Sequence, residues 1–121
     1  MNIEEVREYC IAKPGVTEEF PFDSDTLVFK VMGKAFVFTS LTFLPFRVNL
    51  KMDAELVGEY RDKYVDVQPG YHMNKKYWNS VNFEKGAVPR KELLWMIDHS
   101  YEQVVKGLTK KLQEELKTKK R

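Results

Sequence analysis

Apolar and polar residues alternate in several short segments of the chain, and this pattern predicts β-strands. Residues 26–31 and 35–40 are rich in β-branched and aromatic side chains, and Met32-Gly33-Lys34 joins them. Because glycine adopts positive φ easily, this segment predicts a hairpin turn. Residues 46–51 alternate more strictly. We expect Phe46, Val48 and Leu50 to face the core and Arg47, Asn49 and Lys51 to face outward.

A helical period in the apolar positions predicts three helices. The first begins at Asn2, which with Glu5 forms a capping-box pattern, and runs to about Lys13. The second begins at the N-cap Asp53 and runs to about Arg61. The last begins near Pro89 and is predicted to be one long helix. Its apolar stripe comprises Leu93, Ile97, Tyr101, Val104, Val105, Leu108, Leu112 and Leu116.

Two further strands are predicted at residues 64–67 and 77–83, separated by a turn at Pro69-Gly70. The order of elements has no repeated βα alternation. It therefore predicts an α+β fold with an antiparallel sheet and the N- and C-terminal helices packed on one face. We expect one domain over residues 1–116. Residues 117–121 hold four cations and one threonine, and predict a disordered basic tail that is dispensable for folding.

The net charge of +2 hides a strong division along the chain. Residues 1–25 carry a net charge of −5, while residues 26–91 carry 11 Lys and Arg against 6 Asp and Glu, a net charge of +5. Residues 106–121 also carry a net charge of +5. Basic regions of this kind attract phosphates, so the middle of the chain is a candidate nucleic-acid surface.

The composition narrows the classes of function. The single Cys10 cannot form an internal disulfide, and the N-terminus lacks a signal-peptide pattern, which favours the cytoplasm. Apolar runs fall short of the roughly 18 residues that a membrane helix needs. His72 and His99 lie far apart with no metal-binding spacing, and no nucleophile motif occurs. We therefore assign no catalytic residue, metal or cofactor, and favour a protein that is not an enzyme without settling the point; Cys10 should be a buried, inert thiol.

Cations and aromatic residues occur together in the basic middle. Lys34 follows the hairpin turn, Lys51 lies on an outward strand position, and Lys75 and Lys76 precede Tyr77 and Trp78. Ammonium groups bind phosphates and aromatic rings stack on bases, as a nucleic-acid surface requires. Two alternatives stay open: Trp78 in the core, and His72 as a structural residue of its turn.

Seven short stretches of the chain form a pattern that is specific when they are taken together. They are Lys13-Pro-Gly, Phe20-Pro-Phe22, Phe29-Lys-Val-Met-Gly-Lys-Ala-Phe36, Asn49-Leu-Lys51, Pro69-Gly-Tyr-His-Met-Asn-Lys75, Trp78 and Ser100-Tyr101. With this pattern the chain resembles, over nearly its whole length, the MmcQ/YjbR family of small bacterial proteins, whose fold is similar to that of frataxin (CyaY-like).

This resemblance implies DNA binding through a "double wing" of two β-hairpins. The family pattern falls on Lys34, Lys51, Tyr71, His72, Asn74, Lys75 and Trp78. Iron binding of the frataxin type is not expected, because the first helix has only Glu4, Glu5 and Glu8, partly offset by Arg7.

The first hypothesis is therefore a monomeric DNA-binding module. Lys34, Lys51, Lys75 and Lys76 would bind phosphates, with His72, Asn74 and Trp78 at the same surface. The alternative is a small-molecule-binding protein or uncharacterised enzyme with a pocket at the Tyr71–Lys75 turn, where Lys51 or Lys75 attracts an anion. A third reading is a protein-interaction domain that uses the flat sheet. A convex basic ridge would favour nucleic acid, and a concave pocket would favour a small ligand.

Overall fold

A computed structural model describes residues 1–70 and 73–119 of the chain. The strands form one antiparallel sheet in the order β1-β2-β3-β4-β6-β5. They are Val16–Glu19 (β1), Thr26–Val31 (β2), Lys34–Ser40 (β3), Arg47–Lys51 (β4), Val67–Pro69 (β5) and Trp78–Asn82 (β6). The helices are Ile3–Ile11 (α1), Ala54–Lys63 (α2), Arg90–Lys106 (α3) and Lys110–Lys117 (α4). The predicted α+β fold with an antiparallel sheet is confirmed.

The β2–β3 hairpin turns at Met32 and Gly33, which both have positive φ. Farther along the pair, Phe29 lies opposite Val37 while Lys30 lies opposite Ala35, so Phe36 is an extra residue on β3. Such a bulge changes the alternation of side chains locally. Phe36 and Val37 are both fully buried, and Phe36 meets Tyr101 of α3 edge-on at 5.4 Å between ring centroids.

One face of the sheet packs against the helices and forms the core. Val48 and Leu50 of β4 are fully buried, as the alternation predicts, and Phe46 is partly buried. The Ser100 hydroxyl of α3 donates a hydrogen bond to the Phe36 carbonyl at 2.6 Å and accepts one from the Lys51 N–H at 2.9 Å. This side chain ties α3 to β3 and β4.

The prediction of one continuous C-terminal helix was wrong. α3 ends at Lys106, and the chain is not helical from Gly107 to Thr109. The Thr109 hydroxyl then accepts a hydrogen bond from the Leu112 N–H and caps α4. Leu116 lies close to Gly15: a Cβ on that glycine would stand 2.6 Å from Leu116 Cδ1. The break thus lets α4 pack against the segment that enters β1.

The boundary predicted at residue 116 falls inside α4, which ends at Lys117. The Thr118 N–H still donates to the carbonyls of Glu115 and Leu116. Residues 120–121 lie outside the described residues, so disorder of the tail stays a prediction.

Two strand predictions also differ from the structure. β1 was not predicted, because Thr17, Glu18 and Glu19 give it no apolar alternation. β5 begins at Val67 rather than at Tyr64, since the Tyr64 N–H closes α2 by donating to the Tyr60 carbonyl. The predicted caps Asn2 and Asp53 are confirmed by hydrogen bonds from the N–H groups of Glu5 and Glu55.

Candidate functional site

The topology brings both hairpin tips to the same end of the sheet. β3 and β6 are each antiparallel to β4, so they run parallel to each other and begin at one end. The β2–β3 turn precedes β3, and the β5–β6 connection precedes β6. Lys34, Lys75 and Lys76 belong to these connections or adjoin them, and Lys51 pairs with Trp78 at the same end. We call Lys34, Lys51, Lys75, Lys76 and Tyr77 the basic end.

Two cations of the basic end lie against one aromatic ring. The Lys51 ammonium is 5.9 Å from the centroid of Tyr77, and the Lys76 ammonium is 5.5 Å from it. Cation–π attraction over such distances holds both ammonium groups near the ring without neutralising their charge. Tyr77 therefore brings together two ammonium groups that belong to separate segments of the chain.

The lysines of the basic end have no carboxylate partner among residues 1–70 and 73–119. The ion pairs of these residues are Arg7–Glu18, Lys13–Asp98, Lys30–Glu19, Lys63–Glu92, Lys85–Asp66 and Arg90–Glu5. Lys34, Lys51, Lys75 and Lys76 take part in none of them. Their charges therefore remain available to an anionic partner.

The turn that carries Lys75 and Lys76 is held by two polar side chains. Asn74 accepts the Lys76 N–H on its side-chain oxygen at 2.9 Å, and its carbonyl accepts the N–H groups of Tyr77 and Trp78. Arg61 of α2 donates to the carbonyls of Lys75 at 2.5 Å and Trp78 at 3.2 Å. Asn74 thus has a structural role in this turn, and Arg61 is a supporting residue that the sequence pattern did not reveal.

Trp78 is neither a core residue nor an isolated stacking platform. It is partly buried, and its ring meets Phe38 edge-on at 5.4 Å between centroids. Phe22 lies against the same Phe38 at 6.5 Å in a stacked orientation. The three rings form a row across the face of the sheet opposite the core. The predicted roles of Tyr71 and His72 concern positions outside the described residues.

A cleft of about 820 Å³ opens on that second face, which we call the open face. Its floor follows one cross-strand row, in which Phe38 pairs with Asn49, Asn49 with Ser80, and Ser80 with Gln68. We call this the open-face cleft. Its described lining residues are Phe22, Thr26, Phe38, Thr39, Ser40, Phe43, Arg47, Asn49, Gln68, Pro69, Met73 and Ser80.

The open-face cleft differs from the pocket that the sequence suggested at the Tyr71–Lys75 turn. Met73 of that turn lines the cleft, but Lys51 and Lys75 are not among its described lining residues. The cation that lines it is Arg47, which the sequence pattern marked only as an outward strand position. The cleft is formed by loops that meet over the sheet, and short-range patterns do not reveal such meetings.

The remaining candidate side chains have structural roles. Burial raises the pKa of the Cys10 thiol to about 12, so Cys10 is protonated at neutral pH. His99 accepts the Asp53 N–H at 3.1 Å and stacks on Trp95, and burial lowers its pKa. Residues 1–70 and 73–119 contain no group of three or more His, Cys, Asp or Glu side chains placed to hold a metal. None of their helices is long and apolar enough to cross a membrane.

The fold defines a class of small α+β proteins that recurs among solved structures. A crystal structure of a Deinococcus radiodurans protein with a DUF419 domain has a TM-score of 0.87 and 39% identity, covering 95% of this chain and 87% of its own. A Pseudomonas syringae crystal structure has a TM-score of 0.72 and 26% identity, covering 85% of this chain and 98% of its own.

Sequence comparison identifies the family within this class. The YjbR family model matches residues 11–103. The Escherichia coli protein YjbR is 32% identical over 105 residues, which are 87% of this chain and 88% of that protein. The Escherichia coli protein YbdF is 35% identical over 115 residues, 94% of this chain and 93% of its own. The chain belongs to the YjbR family, and the predicted family is confirmed.

Proposed function

We propose that this protein binds DNA through the basic end, by contacts to the phosphate backbone. The observation that carries the proposal is the position of Lys51 and Lys76 around Tyr77, with no carboxylate partner among the described residues. Phosphate oxygens would neutralise these ammonium groups and release counterions, which is the main source of affinity in such contacts.

The spacing of the two hairpins supports the double-wing arrangement. β3 and β6 lie on either side of β4, so the two strands that follow these turns are two strand spacings apart, about 10 Å. Lys34 lies on one side of this gap and Lys75 and Lys76 on the other. Two phosphate-binding groups on separate turns would orient the domain on a duplex, although they would carry no sequence information.

Lys119 lies close to one wing. A Cβ on Gly15 would stand 3.2 Å from Met32 Sδ and 3.6 Å from Lys119 Cδ, so Lys119 lies beside the β2–β3 turn. The charge of Lys119 would therefore extend the basic end. This proposal includes Lys119 among the phosphate-binding residues. We further propose that the protein acts as a cytoplasmic monomer.

A salt titration against duplex DNA tests the proposal. Five phosphate contacts, four by lysines of the basic end and one by Lys119, give a log–log slope of roughly −4.5, at about −0.9 for each contact. Replacing Lys51 and Lys76 by Gln should reduce the slope by about 1.8 on every duplex sequence. The matched control is the Lys63→Gln/Lys91→Gln variant, which loses the same charge near the opposite end of the sheet and should keep the original slope.

A chain that ends at Leu116 separates the tail from the sheet. This truncation removes four cations and should reduce the slope further, because Lys119 lies beside a wing. DNA binding that depends on the tail alone, unchanged by Lys51→Gln/Lys76→Gln, would rule out the basic end as the DNA site.

A further inference from the structure

The open-face cleft has the size and composition of a small-molecule site. Its volume of about 820 Å³ falls within the roughly 300–1,000 Å³ of known ligand sites. Aromatic and aliphatic side chains form its walls, and a few polar groups converge on its floor. Its lining residues are distinct from the lysines of the basic end, so it is a separate candidate site.

Arg47 sets the charge of the ligand. It is the one cation among the described lining residues of the cleft, and those residues include no carboxylate. Arg47 also lines an adjoining hollow with Asp66 and Glu84, yet neither carboxylate forms an ion pair with it within 4.0 Å. Asp66 pairs with Lys85 at 3.6 Å, and Glu84 accepts the Phe46 N–H at 2.8 Å. An anionic ligand would therefore meet an unpaired guanidinium, which binds carboxylates with two parallel hydrogen bonds.

Asn49 indicates a second polar contact in the floor. Its side-chain oxygen is buried and has no hydrogen-bond partner among the described atoms. Its amide nitrogen donates to the Phe38 carbonyl at 3.4 Å, at the long limit for a hydrogen bond. Buried acceptors are rarely left without a donor, so a ligand with a hydroxyl or amine would fit here.

The rim of the cleft favours an aromatic body. Phe22 and Phe43 are 71% and 58% exposed, which is unusual for rings that do not contact a partner. Their loops are fixed to each other, because the Ser40 hydroxyl donates to Asp25 at 2.9 Å and accepts the Phe43 N–H at 3.0 Å. Rings held at the mouth of a cleft can stack on a planar ligand.

We propose that the open-face cleft binds a small aromatic carboxylate. Arg47 holds the carboxylate, Asn49 accepts a hydrogen bond from a polar substituent, and Phe22, Phe38 and Phe43 contact the ring system. This site goes beyond DNA binding and involves none of the lysines assigned to phosphates.

The test uses two probes of equal shape and different charge. 2-Naphthoate carries the carboxylate, and 2-naphthamide replaces it with a neutral group. NMR titration of the full chain should map 2-naphthoate to the amides of Asn49, Ser80 and neighbouring cleft residues. Arg47→Gln should weaken 2-naphthoate about tenfold, as expected for a lost charge-assisted hydrogen bond, and leave the weaker 2-naphthamide nearly unchanged.

Two further variants make the result decisive. Lys51→Gln removes a cation from the same strand and the same face but outside the described cleft lining, and should not change the affinity for either probe. Phe22→Ala changes a side chain that is 71% exposed, so the fold should persist, and it should weaken both probes alike. Equal effects of Arg47→Gln on the two probes, shifts that map elsewhere, or no binding of 2-naphthoate would overturn the proposal.

Discussion

The two faces of the sheet are made from the same strands, and they differ in what their side chains contact. On the core face, Val37 lies beside Leu50, and both are fully buried against the helices. One position along, Phe38 lies beside Asn49, and both line the open-face cleft. Apolar side chains on the first face stabilise the fold. On the second face they exceed what the core requires, which is typical of a binding surface.

The comparison predicts that substitutions on the two faces affect different measurements. Core-face changes should lower the free energy of unfolding, and open-face changes should lower binding while stability stays constant.

The largest loss of stability should come from Ile97→Ala. Ile97 is fully buried between α3 and the sheet, and removing its side chain leaves a cavity that costs about 2–5 kcal/mol. Chemical denaturation measures this difference. The matched open-face variant Phe22→Ala should stay within about 0.5 kcal/mol of the wild type. Similar losses for both variants would erase the distinction between the faces.

Ser100→Ala should cost less than Ile97→Ala but more than a surface change. The variant leaves the Lys51 N–H and the Phe36 carbonyl without their partner, at a cost of about 1–3 kcal/mol. The same denaturation experiment measures it. Ser100→Thr, which retains the hydroxyl, should recover part of the loss; an alanine variant as stable as the wild type would show that Ser100 does not tie α3 to the sheet.

Alkaline pH should lower the free energy of unfolding, because Tyr9 ionises. Burial, together with the Asp98 carboxylate, raises the pKa of Tyr9 to about 12 from its ordinary value of 10.0. The folded state thus favours the protonated phenol, and this stabilisation is complete below about pH 10 and lost as pH rises towards 12. Denaturation curves from pH 9 to 12 should show the wild type losing stability relative to Tyr9→Phe.

Tyr60 provides the internal control for this titration. Its pKa is also raised to about 12, mainly by burial, and it remains in both proteins. A common decline therefore belongs to Tyr60 and the rest of the chain. Parallel curves for the wild type and Tyr9→Phe would contradict the contribution assigned to Tyr9.

The smallest effect should come from deleting residues 117–121. These residues hold four cations and one threonine, and Leu116, which packs near Gly15, is retained. The melting temperature should be nearly unchanged, as thermal unfolding followed by circular dichroism would show. A drop of many degrees would mean that the tail stabilises the fold, as the buried residues of the core face do.

The sequence predicted most of the core face because its signal is local. Val48 and Leu50 alternate with polar neighbours, and Asn2 and Asp53 are caps that act within three residues. β1 and the break at Gly107 were missed. β1 is polar and is held by pairing with β2. The break has a local signal, because Gly107 caps α3 and Thr109 caps α4, but the continuous apolar stripe masked it.

The candidate sites were predicted less completely, because they depend on contacts between segments that are distant in the sequence. Lys34, Lys51, Lys75 and Lys76 could be named from clustering in the sequence, but the approach of Lys51 and Lys76 to Tyr77 requires the paired strands. Arg61 donates a hydrogen bond to the Lys75 carbonyl from α2, a separate segment of the chain. Arg47 lines the same cleft as Phe22 and Met73 only because the folded chain brings the three residues together. Contacts between distant segments leave no periodic signal.

The extra residue at Phe36 has a further consequence for the changes that this chain can tolerate. In a strand without this bulge, residues 36 and 38 would lie on the same side of the sheet. β3 could then not supply one ring to Tyr101 on the core face and another to the open-face cleft. A one-residue insertion or deletion here would exchange the two sides of the strand. Substitutions can vary the cleft gradually, whereas length changes at this point would disrupt the core and the cleft together.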